Sequence, residues 1–411
     1  MHPLPASTAT ARDLPLEGLR GLCAGAVLYA HVFAPTNALD PRWAPPSQFW
    51  WFNFGDAAVL IFFTLSGYVI GLTTTGAAAP AARRDYLARR ALRLGPITAF
   101  AILLAWALAP ATPLRTVIGN LLFLQNAAPY PGGFSIPVLP NNPNLWSLHY
   151  EAAYYLGFLA LWRWAPRAGV VWGALIGLTF APLLGLAPGT LVGRLACGGL
   201  FWFGGLCVAW QTPAGVGEPA ARRTAWPAAL LGSYAIWSLA PLRTFLVEGG
   251  GERLLWPTVA SPHRLDFLPA CVWLLLATTG RAPALCRALA VLCLGWATLG
   301  LGYYVVAGAL VTRDYAAAVA LAAAWLAWRW RPEATALARL APGGAISFGV
   351  YAVALPIQFG QRDWLPEFAG SAFTFFVRAG VVVGAAVAAA WFLERRLQPW
   401  LRRRLAPRAT R

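Results

Sequence analysis

The chain has 411 residues, 59% of them hydrophobic and 11% charged, at a mean hydropathy of +0.57. A soluble core cannot hide that much apolar surface, so the composition excludes a water-soluble globular protein and predicts an all-α, polytopic transmembrane helical bundle in the lipid bilayer. Lysine is absent, and the arginine clusters behind much of the net charge of +17, such as Arg83 to Arg93, Arg222 and Arg223, Arg329 and Arg331, and Arg395 to Arg404, stand between or after apolar spans. Cytoplasmic loops require that pattern, and no soluble domain remains to bind nucleic acid.

The first predicted span, 14–33, holds Arg20 and His31, eleven positions apart. That spacing is close to three helical turns, so the two side chains share one face about 16 Å apart along the axis. Ionisable groups inside a span are functional candidates. A cleaved signal peptide is the other reading of this segment, but Arg20 at the mouth of the apolar run favours a retained helix. Trp43, Trp50 and Trp51 follow as interfacial anchors. The second span, 55–75, carries Ser66-Gly67, a pair that permits close helix approach.

Arg83 to Arg93 then form a basic helix that ends against Pro96. Arg90 and Arg93, three apart with Arg89 beside them, suit bidentate phosphate binding as well as a plain cytoplasmic loop. The stretch 114–124 is too short to span and reads as interfacial. The span 145–162 opens with Trp146-Ser147-Leu148-His149-Tyr150-Glu151, which sets Ser147 and Glu151 on one face. A buried carboxylate needs a partner, and an inward-facing arginine or histidine is the natural one. His149, at the helix start, reads as a structural interfacial histidine, and His2 and His263 attract no role.

Further apolar runs near 95–110, 168–187, 195–210, 226–242, 264–280, 288–311, 315–328, 344–360 and 371–393 bring the total to about twelve spans, within a range of ten to twelve. Leaving 114–124 out of that count puts both termini in the cytoplasm. Residues 1–395 then form one membrane domain and 396–411 a basic cytoplasmic tail, with Leu401 to Arg411 disordered against lipid. The six cysteines form no CxxC pair and read as buried hydrophobes, and four histidines without ligand spacing predict no metal. Taken alone, Arg20, His31 and Glu151 fit either a catalytic centre or the proton relay of a transporter or flippase for a lipid-linked or small solute.

These segments together resemble the acyltransferase 3 family of integral membrane acyltransferases. Arg20 and His31 match its first-helix Arg and His, and Phe62 to Tyr68 match its Phe-Phe-x-Leu-Ser-Gly-aromatic motif. Arg89, Arg90, Arg93 and Pro96 match its basic stretch, and Trp146, Ser147, Leu148 and Glu151 match its Trp-Ser-Leu-x-x-Glu. Ile346 to Tyr351 and Phe392 to Arg395 resemble two later signatures, while 165–340 carry no recognised motif. Three positions depart from the family: Glu17 stands for its usual Asp, Leu60 for a frequent Asp and Ala354 for a frequent His.

The resemblance implies transfer of an acyl group, most often acetyl, from cytoplasmic acyl-CoA to a hydroxyl of a carbohydrate or other envelope acceptor. It implies His31 as general base, Arg20 and Glu151 shaping the charge around the reacting centre, and Arg89, Arg90 and Arg93 binding the coenzyme A phosphates. A histidine suits that task, because its ordinary pKa lies near neutrality. The lysine-free, arginine- and proline-rich composition points to a GC-rich bacterium and its cytoplasmic (inner) membrane.

Overall fold

The computed structural model describes residues 13–34, 39–74, 76–125, 136–181, 191–211 and 223–405. Among them no β-strand forms, and an isolated bridge joins Arg223 to Glu333. The first helix starts where Asp13 accepts a hydrogen bond from the Leu16 amide at 3.2 Å and Pro15 presets the first turn, giving α1 (Leu14–Val32). Next come α2 (Gly55–Thr73), α3 (Pro80–Leu108) and the short α4 (Leu114–Leu121). The middle of the chain forms α5 (Trp146–Trp164), α6 (Ala168–Phe180), α7 (Leu191–Gln211), α8 (Trp226–Leu239) and α9 (Pro241–Glu248). Then follow α10 (Phe267–Thr279), α11 (Pro283–Val306) and α12 (Thr312–Ala327). Two single turns, α13 (Thr335–Ala338) and α14 (Ala341–Gly344), lead into α15 (Ser347–Trp364) and α16 (Ala372–Phe392). A π turn, Leu393–Leu397, joins α16 to α17 (Gln398–Leu405).

Every predicted span coincides with a helix in this order, and the fold is an all-α polytopic bundle. Among the described residues 6 helical stretches are long and apolar enough to cross a membrane by length and composition, and α6 and α10 are shorter apolar helices. The segment read as interfacial is α4, 8 residues long. One expectation is corrected: 401–405 are not irregular but continue α17, because the π turn carries the helix past Arg395 and Arg396. Residues 182–187 and 406–411, like His2, lie outside the described residues. Helices α11 and α16 turn Val291, Leu299, Phe373 and Val381 outward, the inverse of a soluble helix and what lipid-facing sides require. Cys23, Cys197, Cys207, Cys271 and Cys293 are buried, Cys286 is half-buried, and none is disulfide-bonded.

Two features hold the bundle in the register that builds its interior. First, α2 and α7 approach until their backbones touch: a Cβ at Gly67 would overlap the Trp202 carbonyl, and one at Gly205 the Thr64 carbonyl. Second, Pro96 in α3 and Pro356 in α15 offer no N–H to the carbonyls four residues back, Leu92 and Ala352. Buried amide side chains replace the missing donors. Gln398 Nε2 donates to Leu92 O at 3.1 Å and to Arg93 O at 2.8 Å, and Asn142 Nδ2 donates to Ala352 O at 2.9 Å. The prolines thus create acceptors that dock α17 on α3 and the approach to α5 on α15.

Candidate active site

Five helices enclose a cavity of about 90 Å³ in the interior. Arg20 enters it from α1, Phe62, Phe63 and Ser66 from α2, and Arg90 and Arg93 from α3. Ser147, Glu151 and Tyr155 follow one another at four-residue intervals down one face of α5, and Ser347 and Tyr351 come from the start of α15. Ser66 Oγ donates to Glu151 Oε1 at 3.4 Å, and the Tyr155 hydroxyl donates to the same oxygen. Ser147 Oγ lies 2.7 Å from the Tyr351 hydroxyl, which also donates to the Asn144 carbonyl. The Glu151 carboxylate is thereby aimed by two hydroxyls and faces the arginines across the cavity.

Those arginines are held differently. Arg90 lies over the Tyr86 and Tyr155 rings at 5.3 and 5.4 Å and donates to Thr73 Oγ1 at 3.2 Å. Arg93 Nη1 donates to Glu394 Oε2 at 3.0 Å, while Glu394 Oε1 accepts from the Gly349 amide at 2.7 Å. Arg20 Nη1 pairs with Glu17 Oε1 at 3.2 Å, so the acid that replaces the family's usual Asp engages the first-helix arginine. Among the described residues the buried Nε groups of Arg20 and Arg90 have no acceptor, and Arg90 has no carboxylate within ion-pair distance. Unmatched guanidinium donors in a recess favour an anionic ligand.

Arg20 and Arg93 also line a wider groove of about 620 Å³ that opens at the same end of the bundle. Arg339, Arg395 and Arg402 stand around it, together with Glu17 and Glu394. The structure therefore brings Arg20, Glu151, Arg90 and Arg93 together. Arg89 stands apart, exposed and paired with Asp85 one turn earlier in α3. His31 lines neither recess. Its carbonyl accepts from Gln358 Nε2 at 3.1 Å, and its ring makes no hydrogen bond to the described residues. His149 is buried, its Nδ1 2.6 Å from the Phe123 carbonyl. Leu60 and Ala354 are both buried in apolar packing, Ala354 beside Ile97 and Ala101.

Glu394, Tyr155 and Tyr351 belong to the site although residue patterns alone assign them no role. Tyr155 was within reach of the helical four-residue repeat that links Ser147 and Glu151. Tyr351 and Glu394 fall inside the two later signatures, Ile346 to Tyr351 and Phe392 to Arg395, which mark the positions but not the partner, because Arg93 lies 301 residues from Glu394 in sequence.

The acyltransferase-domain profile of the acyltransferase 3 family matches residues 14–395, nearly the whole chain. The chain belongs to that family. No curated protein and no solved structure gives a significant match. Membership makes the molecule a membrane acyltransferase, and all residues lining the interior cavity and the groove, up to Gln398, Pro399 and Arg402 on α17, fall inside the matched stretch or just past it. The cavity holds a carboxylate, hydroxyls and guanidinium groups, polar groups of the kind that can stabilise developing charge.

Proposed function

We propose that this acyltransferase takes an acyl group, most often acetyl, from cytoplasmic acyl-CoA and passes it to a hydroxyl of a carbohydrate or other envelope acceptor in a bacterial inner membrane. The observation that carries this reading is the convergence of Arg20, Arg90, Arg93 and Glu151, from three separate helices, on one cavity. In this scheme Arg90 and Arg93 bind the coenzyme A phosphates, with Arg20 beside them and the groove around Arg339, Arg395 and Arg402 receiving the nucleotide end. Arg89 adds positive charge at the mouth. No metal takes part in the scheme.

Phosphates held at the level of Arg20 send the extended pantetheine arm deeper into the bundle. His31 stands about 16 Å farther along α1, a distance of the order that arm covers. Neutral His31 takes the proton from the acceptor hydroxyl as its oxygen attacks the thioester carbonyl. The new C–O bond forms, the C–S bond breaks, and the coenzyme A thiolate recovers the proton from the imidazolium. Arg20, and Glu151 through its hydroxyl contacts, set the field around the charge that develops.

The test is release of free thiol from acetyl-CoA by the purified protein with an envelope extract. His31→Ala should lower kcat by at least about 100-fold at little change in KM. Arg90→Ala/Arg93→Ala should instead raise the KM for acetyl-CoA about tenfold or more. Full activity in His31→Ala would remove the base from the scheme, and an unchanged KM in the double variant would remove the phosphate site.

A further inference from the structure

At the end of the bundle opposite the arginine-rich groove, a second opening is left unused by the donor scheme. Asp56 at the start of α2, Trp146 and Tyr150 on α5, Trp237 on α8 and the segment ending at His263 and Arg264 enclose a cleft of about 330 Å³. A neighbouring recess of about 360 Å³ shares Asp56, Trp237 and Arg264 and adds Arg243 and Arg313.

The lining combines flat aromatic faces with fixed cations. The Arg264 guanidinium lies 3.8 Å from the centre of the Trp237 ring and donates through Nη1 to the Trp237 carbonyl at 3.2 Å. Trp256 and Tyr150 are buried behind the lining, and the half-buried Trp146 supplies the open aromatic surface. Among the described residues lining the two recesses, Asp56 is the single acid against Arg243, Arg264 and Arg313. Arg313 pairs with Asp314 at 3.6 Å, but neither Arg243 nor Arg264 forms an ion pair with a described carboxylate. A simple anion would have no use for the aromatic wall, and a neutral sugar would leave Arg243 and Arg264 without an ion-pair partner among the described residues. A sugar ring that carries a carboxylate or phosphate satisfies both: its C–H face covers the half-buried Trp146 indole, and its charge meets the guanidinium fork.

The cleft also adjoins the inner cavity. Trp146 and Tyr150 alternate along α5 with Ser147 and Glu151, so one helix presents the cleft on one side and the inner cavity on the other. Tyr150 stacks on Phe63 with ring centres 5.9 Å apart, and Phe63 lines the inner cavity. A single aromatic pair separates the two spaces.

We propose that this cleft is the acceptor site, and that the acceptor is a carbohydrate bearing a negative charge. The inference rests on the acyl-transfer reading given above. The test is calorimetric titration of the full chain in lipid nanodiscs with glucuronic acid, glucose 1-phosphate, glucose and inorganic phosphate, and separately with coenzyme A. Both anionic sugars should bind at least about tenfold more tightly than glucose or inorganic phosphate. Arg264→Gln and, at the exposed rim, Arg243→Gln should each weaken anionic-sugar binding about tenfold while leaving coenzyme A affinity unchanged. Preference for one of the two sugars identifies carboxylate or phosphate as the charged group and supports the assignment either way. Equal binding of glucose, absence of sugar binding, or sugar affinity unchanged in both variants with coenzyme A affinity intact would overturn the proposal. Anionic-sugar binding without any coenzyme A binding would support the cleft and sink the donor scheme instead.

Discussion

Arg93 shows how a residue far from the reaction in sequence sets the site. Its guanidinium bonds a Glu394 carboxylate that is itself buried and tied to the Gly349 amide, so the π turn at Leu393–Leu397 and the start of α15 both fix where Arg93 stands. Insertions of this kind in a helix often mark functional positions. Glu394→Gln keeps an acceptor for Gly349 but removes the charge that holds Arg93. Steady-state kinetics should show KM for acetyl-CoA raised about tenfold with kcat changed less than about threefold, and Glu394→Asp should recover part of the loss. A collapse of kcat at constant KM would make Glu394 part of the chemistry instead of a positioning residue. At the other end of the molecule, His263 is buried and bonded to Ser261 Oγ at 2.7 Å. Burial first, then the Arg264 and Arg243 guanidinium groups, push its pKa down from 6.5 to about 4. The unfolded chain therefore binds a proton there between pH 6.5 and about 4 that the folded chain refuses. Its contribution to stability is complete above pH 6.5 and is lost as the pH falls toward 4. Melting temperature in nanodiscs should fall over that window, and His263→Gln should flatten the decline; an unchanged slope in the variant would assign it to other groups.

Among the elements, the two proline-interrupted helices are more than kinks. Each proline leaves a carbonyl free, and each carbonyl is taken by an amide from a distant segment, Gln398 for α3 and Asn142 for α15. Asn142 is fully buried, so Asn142→Leu strands the Ala352 carbonyl and should destabilise the fold by about 1–3 kcal/mol, read as a lowered melting temperature. Replacing Pro356 by Ala as well restores a backbone N–H and should recover part of that loss; no recovery would show that Asn142 acts through something other than the freed carbonyl. Much of this level is legible in the sequence. The order of the spans follows from apolar runs, the Ser66-Gly67 contact from residue size, and the Ser147–Glu151 face from helical period. The partners of Pro96 and Pro356 are not legible, because a freed carbonyl has no residue signature and its donor lies anywhere the fold brings an amide. For the same reason the pattern that pairs Arg20 with His31 on one face of α1 fixes their axial separation but not which wall of the bundle each faces. Arg20 lines the interior cavity and His31 does not.

On the scale of the whole molecule, Arg20, Arg93, Arg339, Arg395 and Arg402 line the groove at one end of the bundle, and the aromatic cleft with Arg243, Arg264 and Arg313 around it and its neighbouring recess lies at the other. Arg339, Arg395 and Arg402 surround the groove at the first end, whereas Arg313 and Asp56 border the recess at the second. The stretch 165–340 contributes much of that second end through Trp237, Arg243 and Arg264, and it carries no motif because its walls come from segments that are remote in sequence. Positive charge is retained on the cytoplasmic side of a membrane, so the groove should face the cytoplasm and the cleft the outer compartment. Single cysteines at exposed positions test this directly in a background where half-buried Cys286 is changed to Ser. A membrane-impermeant maleimide should label Arg313→Cys in intact cells and Arg339→Cys only after permeabilisation. Labelling of Arg339→Cys in intact cells would invert the molecule, setting Arg90 and Arg93 on the side where coenzyme A is absent and leaving the donor scheme without a donor.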